Sequence, residues 1–396
     1  MVYRLSENPF LIQASQAIAA APFAYILCDH PKELPTDYVS MAEGHHDMIL
    51  GMQESPEAAV RVTRRLIGNG WITRAARWHR PPHRRCRAGK PHMRISRRTF
   101  LLTTAAGAAP AKKLRVLVID GINNHDWQAG TKEIRRILDA AGRFTVAVST
   151  SPPKDAPTAA WDAWRPDFQS RDVIVSNFNG GHLADGVRWP RPVEETFEAA
   201  VRRGCGFVSF HAANNAFLGW EDYNEMIGLG WRDINYGPGL IVDENEKVVV
   251  VPAGQGLGPG HGPPHTFTMS MMDPRHPITA GMPKQWLHPT EQLTHGQHGP
   301  ANPKHGALEK ELRILTYALS KDSHRREPMD WVRTWGAGRV YVTLLGHTSR
   351  NSENPNCRCA GFETLFARGV EWAASGRVTI PMPARFPSAQ DIVYSS

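Results

Sequence analysis

Four histidines in this chain follow segments that read as β-strands. They are His125 after LRVLVID, His182 after DVIVSNF, His211 at the end of GFVSFH, and His347 after GRVYVTLLG. Imidazole titrates near neutrality, so it can move a proton, polarise an oxygen or, when neutral, bind a metal. Amides and a carboxylate share those positions: Asn123, Asn124 and Asp126 beside His125, Asn177 and Asn179 before His182, Asn214 and Asn215 after His211. A second cluster, GPGHGPPH and LHPTEQLTHGQHGP, holds His261, His265, His288, Glu291, His295 and His298. Imidazole with carboxylate is a donor set for zinc and similar divalent ions, and His125, His261 and His265 are the metal candidates. Gly262, Pro263 and Pro264 break any helix between His261 and His265, so the helical H-E-x-x-H arrangement is ruled out there.

These residues can meet only if their strands are sheet neighbours. From Leu114 the chain alternates strand and helix: LRVLVID (114–120), a polar loop, an amphipathic helix from about 129 to 141, FTVAVST (144–150), DVIVSNF (172–178), a helix over PVEETFEAAVRRG, and GFVSFH (206–211). Apolar runs joined by helices predict an α/β, doubly wound, mostly parallel sheet flanked by helices, with ligands beyond the carboxyl ends of the strands. Later, GLIVDENEKVVVV (239–251) reads as a hairpin, LRILTYAL (312–319) and GRVYVTLLG (338–346) as strands, and GFETLFARGVEWAAS (361–375) as a closing helix. Long Gly/Pro/His-rich loops are expected at 252–265 and 288–306.

Several chemistries are excluded. No G-x-G-x-x-G follows the first strand, no G-x-x-x-x-G-K-[ST] loop is present, and no G-x-S-x-G elbow is found. The turn FHAAN puts His211 where a nucleophile would otherwise stand. The net charge of +8 is uneven: 15 of the 46 Lys and Arg and 8 of the 38 Asp and Glu precede Lys112, leaving +7 there and +1 on the remainder. A near-neutral body argues against nucleic-acid binding. Cys357 and Cys359 are one residue apart and Cys205 sits in an apolar run, so no disulfide framework is predicted.

The excess positive charge belongs to a leader. MRISRRTFLLTTAAGAAPA (93–111) has Arg97 and Arg98, a short apolar core and an A-x-A site at 109–111, the pattern of a twin-arginine export signal. The reading is therefore a disordered or mis-annotated extension at 1–92, a signal at 93–111, an α/β domain at 112–380 and a C-terminal tail at 381–396. The expected location is outside the cytoplasm, periplasmic or extracellular, with no stable membrane span.

Six motifs in order give the chain a resemblance. VLVIDGINNHDW, GCGFVSFHAANNAF, GWEDYNEMIG, DPRHPITAGMP, PTEQLTHGQHGP and EPMDWVRTWGAGRVYVTLLGH resemble the trehalose-utilisation, or ThuA-like, family over about 113–376. That resemblance implies a fold similar to the class I glutamine amidotransferase domain and a role in carbohydrate metabolism, often with keto-sugars or disaccharides. The amidotransferase nucleophile is a cysteine after the strand, where this chain has His211, so amidotransferase activity is not expected. Thr290 stands where the family often has Asp before Glu291.

Three readings stay open. The first is an exported enzyme, hydrolase- or lyase-like, with catalytic residues His211, His347, Glu291 and Asp126. Substrate contacts would come from Asn123, His125, Trp127, Asn179, Asn214, Trp220 and His295, and Trp231 is a further candidate for stacking on a sugar ring. The second is a non-catalytic carbohydrate-binding protein, and the third a metal-dependent hydrolase. No cofactor is assigned and a divalent metal is left open. The expected partners are a small-molecule carbohydrate and the twin-arginine export machinery, with homo-oligomerisation left open.

Overall fold

The run LRVLVID forms β1 (Leu114–Asp120), buried over its last five residues. It belongs to a computed structural model that describes residues 112–183, 185–300, 307–349 and 353–395. The extension at 1–92 and the signal at 93–111 lie outside the described residues. β2 (Phe144–Thr150), β3 (Val173–Ser176), β4 (Gly206–Phe210) and β13 (Gly338–Thr343) join β1 in parallel, in the order β2-β1-β3-β4-β13. Apolar residues dominate β1, β3, β4 and β13 because these strands are covered on both faces. Alternate residues of β4 show this. Gly206 and Phe210 face α6 (Ala360–Ser375), while Phe207 meets Phe197 of α3 (Arg191–Arg202) and Tyr223 of α4 (Glu221–Ile227).

The fold is thus α/β, a mixed central sheet flanked by helices, and its second half is antiparallel. β12 (Arg326–Trp335), β11 (Arg313–Leu319), β8 (His265–Met271) and β9 (Gln285–Glu291) continue from β13 in that order. The hairpin expected over 239–251 is present as β5 (Gly239–Val242) and β6 (Val248–Val251). α1 (Trp127–Ala140) starts two residues before the expected boundary because Asp126 Oδ1 accepts the Ala129 N–H at 3.0 Å.

Three stretches differ from expectation. The loops at 252–265 and 288–306 contain paired backbone: β7 (Gly260–His261) with β10 (Thr294–His295), the first residue of β8 and the last four of β9. Pro289 hid β9 in the sequence. It is tolerated because β9 is the outermost strand of its sheet. His265 pairs with Glu291 and Phe267 with His288, so Pro289 and Thr290 together oppose one residue, and Thr290 takes φ 39°. This bulge changes the facing of the strand end. Finally, the tail at 381–396 packs back on the domain: the Leu287 N–H donates to Ser388, the Ala360 N–H to Val393, and Phe386 meets Trp286.

Cys205, Cys357 and Cys359 are free thiols. Among the described residues, no helix is long and apolar enough to cross a membrane.

Candidate functional site

Three of the strand-end histidines converge. His125 follows β1, His211 follows β4 and His347 follows β13. Their ring centroids are 4.8 Å apart for His125 and His211, 4.6 Å for His125 and His347, and 5.5 Å for His211 and His347. β4 lies between β3 and β13, with β1 one strand beyond β3, so the carboxyl ends of neighbouring strands open onto one crevice.

Each ring is held by its loop. Asn123 Nδ2 donates to the Asn177 carbonyl at 3.1 Å and its Oδ1 accepts the His125 N–H at 3.0 Å. Asn179 Nδ2 donates to Asn124 Oδ1 at 2.6 Å. Thr348 Oγ1 donates to the Asp126 carbonyl at 2.9 Å, tying the His125 loop to the His347 loop. His211 has φ 44°, a left-handed conformation that non-glycine residues rarely adopt, at the tight turn from strand into 3-10 helix.

His211 Nδ1 lies 2.7 Å from the Leu344 carbonyl oxygen. A carbonyl only accepts, so Nδ1 carries the proton and Nε2 holds the lone pair while the ring is neutral. That Nε2 is buried and has no hydrogen-bond partner. Burial pushes His211 down to about 4, against the pull of Glu291. Burial and then the neighbouring His211 and His347 push His125 down to about 2. Burial lowers His347 as well. All three imidazoles are therefore neutral near pH 7.

Glu291 sits behind the rings and is fully buried. It accepts the N–H groups of Gly346 at 2.7 Å, of Gln292 at 2.9 Å and of His347 at 3.3 Å, and Asn356 Nδ2 at 2.8 Å. Asn356 Nδ2 also donates to the His347 carbonyl at 2.8 Å. His288 Nε2 stands 3.5 Å from the carboxylate. Burial would raise Glu291, but His288, His211 and Asn356 outweigh it and hold the carboxyl at about 2. Gly346 has φ 109°, and a Cβ there would come within 2.4 Å of the Phe210 ring, so only glycine brings this N–H to the carboxylate.

In front of the rings is a pocket of about 110 Å³. His211, Asn214, Asn215, Thr294 and Leu344 form its buried wall, Gln292 and the half-buried Trp231 and His125 its sides, and Asn124, His182 and His261 its exposed rim. Asn214 Nδ2 donates to Gln297 Oε1 at 2.9 Å, which fixes its amide.

Of the residues proposed from sequence, Asn124, His125, His182, His211, Asn214, Asn215, Trp231 and His261 line this pocket, with His347 packed against His125 and His211. Glu291 touches the pocket lining through the Gln292 N–H and the histidine cluster through the His347 N–H, and its hydrogen bonds leave it no opening onto the pocket. Asp126 is spent on the helix cap. Asn123 and Asn179 hold the His125 loop. Trp127 begins α1, and its carbonyl accepts Asn177 Nδ2. Trp220 is buried among Trp189, Phe197, Phe217 and Tyr223, with Nε1 donating to Glu198. His295 is buried in β10 beneath Gly260, and His265 packs on Phe267. Neither lines the pocket. Among the described residues, no group of three or more His, Cys, Asp or Glu side chains is disposed to hold a metal ion. Gln292, Thr294, Asn356 and Leu344 went unrecognised as site residues, since nothing in their local sequence marks them.

A sheet of this topology with histidines at its strand ends defines an α/β protein with a crevice at the carboxyl ends of its parallel strands. The model of the ThuA family, described as trehalose utilisation, matches residues 115–373, and the chain belongs to that family. A ThuA-like protein from Parabacteroides merdae is 32% identical, covering 72% of this chain and 98% of its own, with a TM-score of 0.64. A second, from Bacteroides uniformis, is 13% identical over 69% of this chain and 96% of its own, with a TM-score of 0.44. No curated relative matches the chain. The family supports a carbohydrate-related role.

Proposed function

We propose that this protein is an exported enzyme that acts on a sugar, disaccharide or keto-sugar, with His211 as the group that moves the proton. His211 Nε2 carries this reading: it is a buried lone pair without a partner, its tautomer fixed by Leu344, at the wall of a polar pocket. A neutral imidazole so placed can take a proton from a sugar hydroxyl, or from a carbon beside a keto group, and return it to a leaving oxygen. His125 and His347 place neutral rings beside it, their centroids 4.8 and 5.5 Å away. Asn214, Asn215 and Gln292 supply amides for substrate hydroxyls. Glu291 is a positioning residue here rather than the base, since it holds the Gly346–His347 turn.

The test is a turnover screen of the purified protein against trehalose, other disaccharides and their 3-keto derivatives, with His211→Ala as control. The expected result is a loss of roughly 10²–10⁴-fold in the variant, the range for a removed general base. Equal turnover by the two proteins refutes the assignment. Tight sugar binding without turnover by either supports the non-catalytic reading instead.

A further inference from the structure

The pocket is graded from its wall to its rim. His211, Asn214 and Asn215 are buried, whereas His182 and His261 are exposed. Trp231 stands between those two, its ring centroid 6.1 Å from His182 and 5.8 Å from His261. Unlike Trp220, it is not packed in an aromatic cluster, and its half-buried indole borders the open end of the pocket.

The segment that carries Trp231 is braced from below. Arg232 is 1% exposed. Its Nη1 donates to the carbonyls of Asn215 at 2.9 Å and Trp231 at 3.0 Å, its Nη2 to that of Ala216 at 2.6 Å, and its Nε to Asn224 Oδ1 at 2.7 Å. One guanidinium therefore fixes the backbone of the wall and of the rim to each other. The Gly230–His298 backbone pairing adds a second brace. An aromatic face held this firmly at a pocket mouth is suited to a flat, partly apolar surface, and the C–H face of a pyranose is one.

Resting on the carbohydrate reading above, we infer that Trp231 is the platform for a second ring. The site takes a glycoside or disaccharide, with its reacting ring toward His211 and the neighbouring ring against the indole. Trp231 stands beside the exposed His182 and His261, so the second ring lies at the rim.

The test is calorimetric binding of trehalose and of glucose, each also as its 3-keto derivative, to the full chain and to its Trp231→Leu and Trp231→Phe variants. The wild type is expected to bind the disaccharide about three- to tenfold more tightly than the monosaccharide, the order of one good aromatic contact. Trp231→Leu should bring that ratio close to one, with an unchanged thermal unfolding midpoint reporting an intact fold. Trp231→Phe should keep most of the preference. A preference that survives Trp231→Leu, or a wild type that binds both sugars equally, overturns the platform and leaves the His211 reading standing. A wild type that binds none of these sugars overturns both.

Discussion

Replacing Glu291 by glutamine is the sharpest perturbation of this site. The carboxylate accepts the Gly346, Gln292 and His347 N–H groups and Asn356 Nδ2, and its side chain is fully buried. Glutamine keeps the shape and one acceptor oxygen, but it turns an NH₂ toward groups that are themselves donors. A hydrogen bond to a buried charge is worth about 1.5–3 kcal/mol, and breaking a buried charged contact costs about 3–5 kcal/mol. With one oxygen retained, the expected loss is about 3 kcal/mol, more than a hundredfold in the unfolding equilibrium. Urea unfolding at pH 7 measures it, with the midpoint falling and the slope unchanged. The variant should also lose part of its acid sensitivity. A carboxyl lowered from 4.5 to about 2 contributes stability that is present above pH 4.5 and lost as the pH falls toward 2. A loss below about 1 kcal/mol, with the acid profile unchanged, refutes the claim that this anion organises the turn.

The histidines act in a higher window. His211 is lowered from 6.5 to about 4, so the unfolded chain takes up protons first and stability falls as the pH drops from 6.5 to 4. His211→Gln should flatten that part of a thermal-melting profile, and an unchanged profile counts against a buried neutral ring. N-terminal sequencing of exported protein should begin near Lys112. A mature form that retains Met1 contradicts the export reading.

The parallel half of the fold was legible because β1, β3, β4 and β13 are short apolar runs set off by helices, and a strand covered on both faces leaves that mark. From it the meeting of His125, His211 and His347 followed, since position at a strand's carboxyl end is a topological property. β8 and β9 were hidden. Antiparallel strands here mix polar and apolar residues, and Pro289 reads as a breaker unless the strand is known to be outermost. Glu291 looked like a base because sequence shows a side chain's type but not its burial or its donors. The tryptophans failed in the same way. The chain has 12, and local sequence does not separate Trp220, walled in by aromatics, from Trp231 at the pocket edge.

The carboxylate behind the histidines has a consequence for how the protein comes into being. It reaches from the antiparallel end of the sheet to residues 55 and 65 positions later in the chain, and it braces the turn after β13 whose histidine ring meets those arriving from β1 and β4. Contacts between such distant positions form late in folding, after loop closure has been achieved elsewhere. A chain halted partway through folding, or truncated before α6, has strand ends but no assembled crevice. On the enzyme reading proposed above, activity is a readout of completed folding, and a partly folded population is silent rather than weakly active.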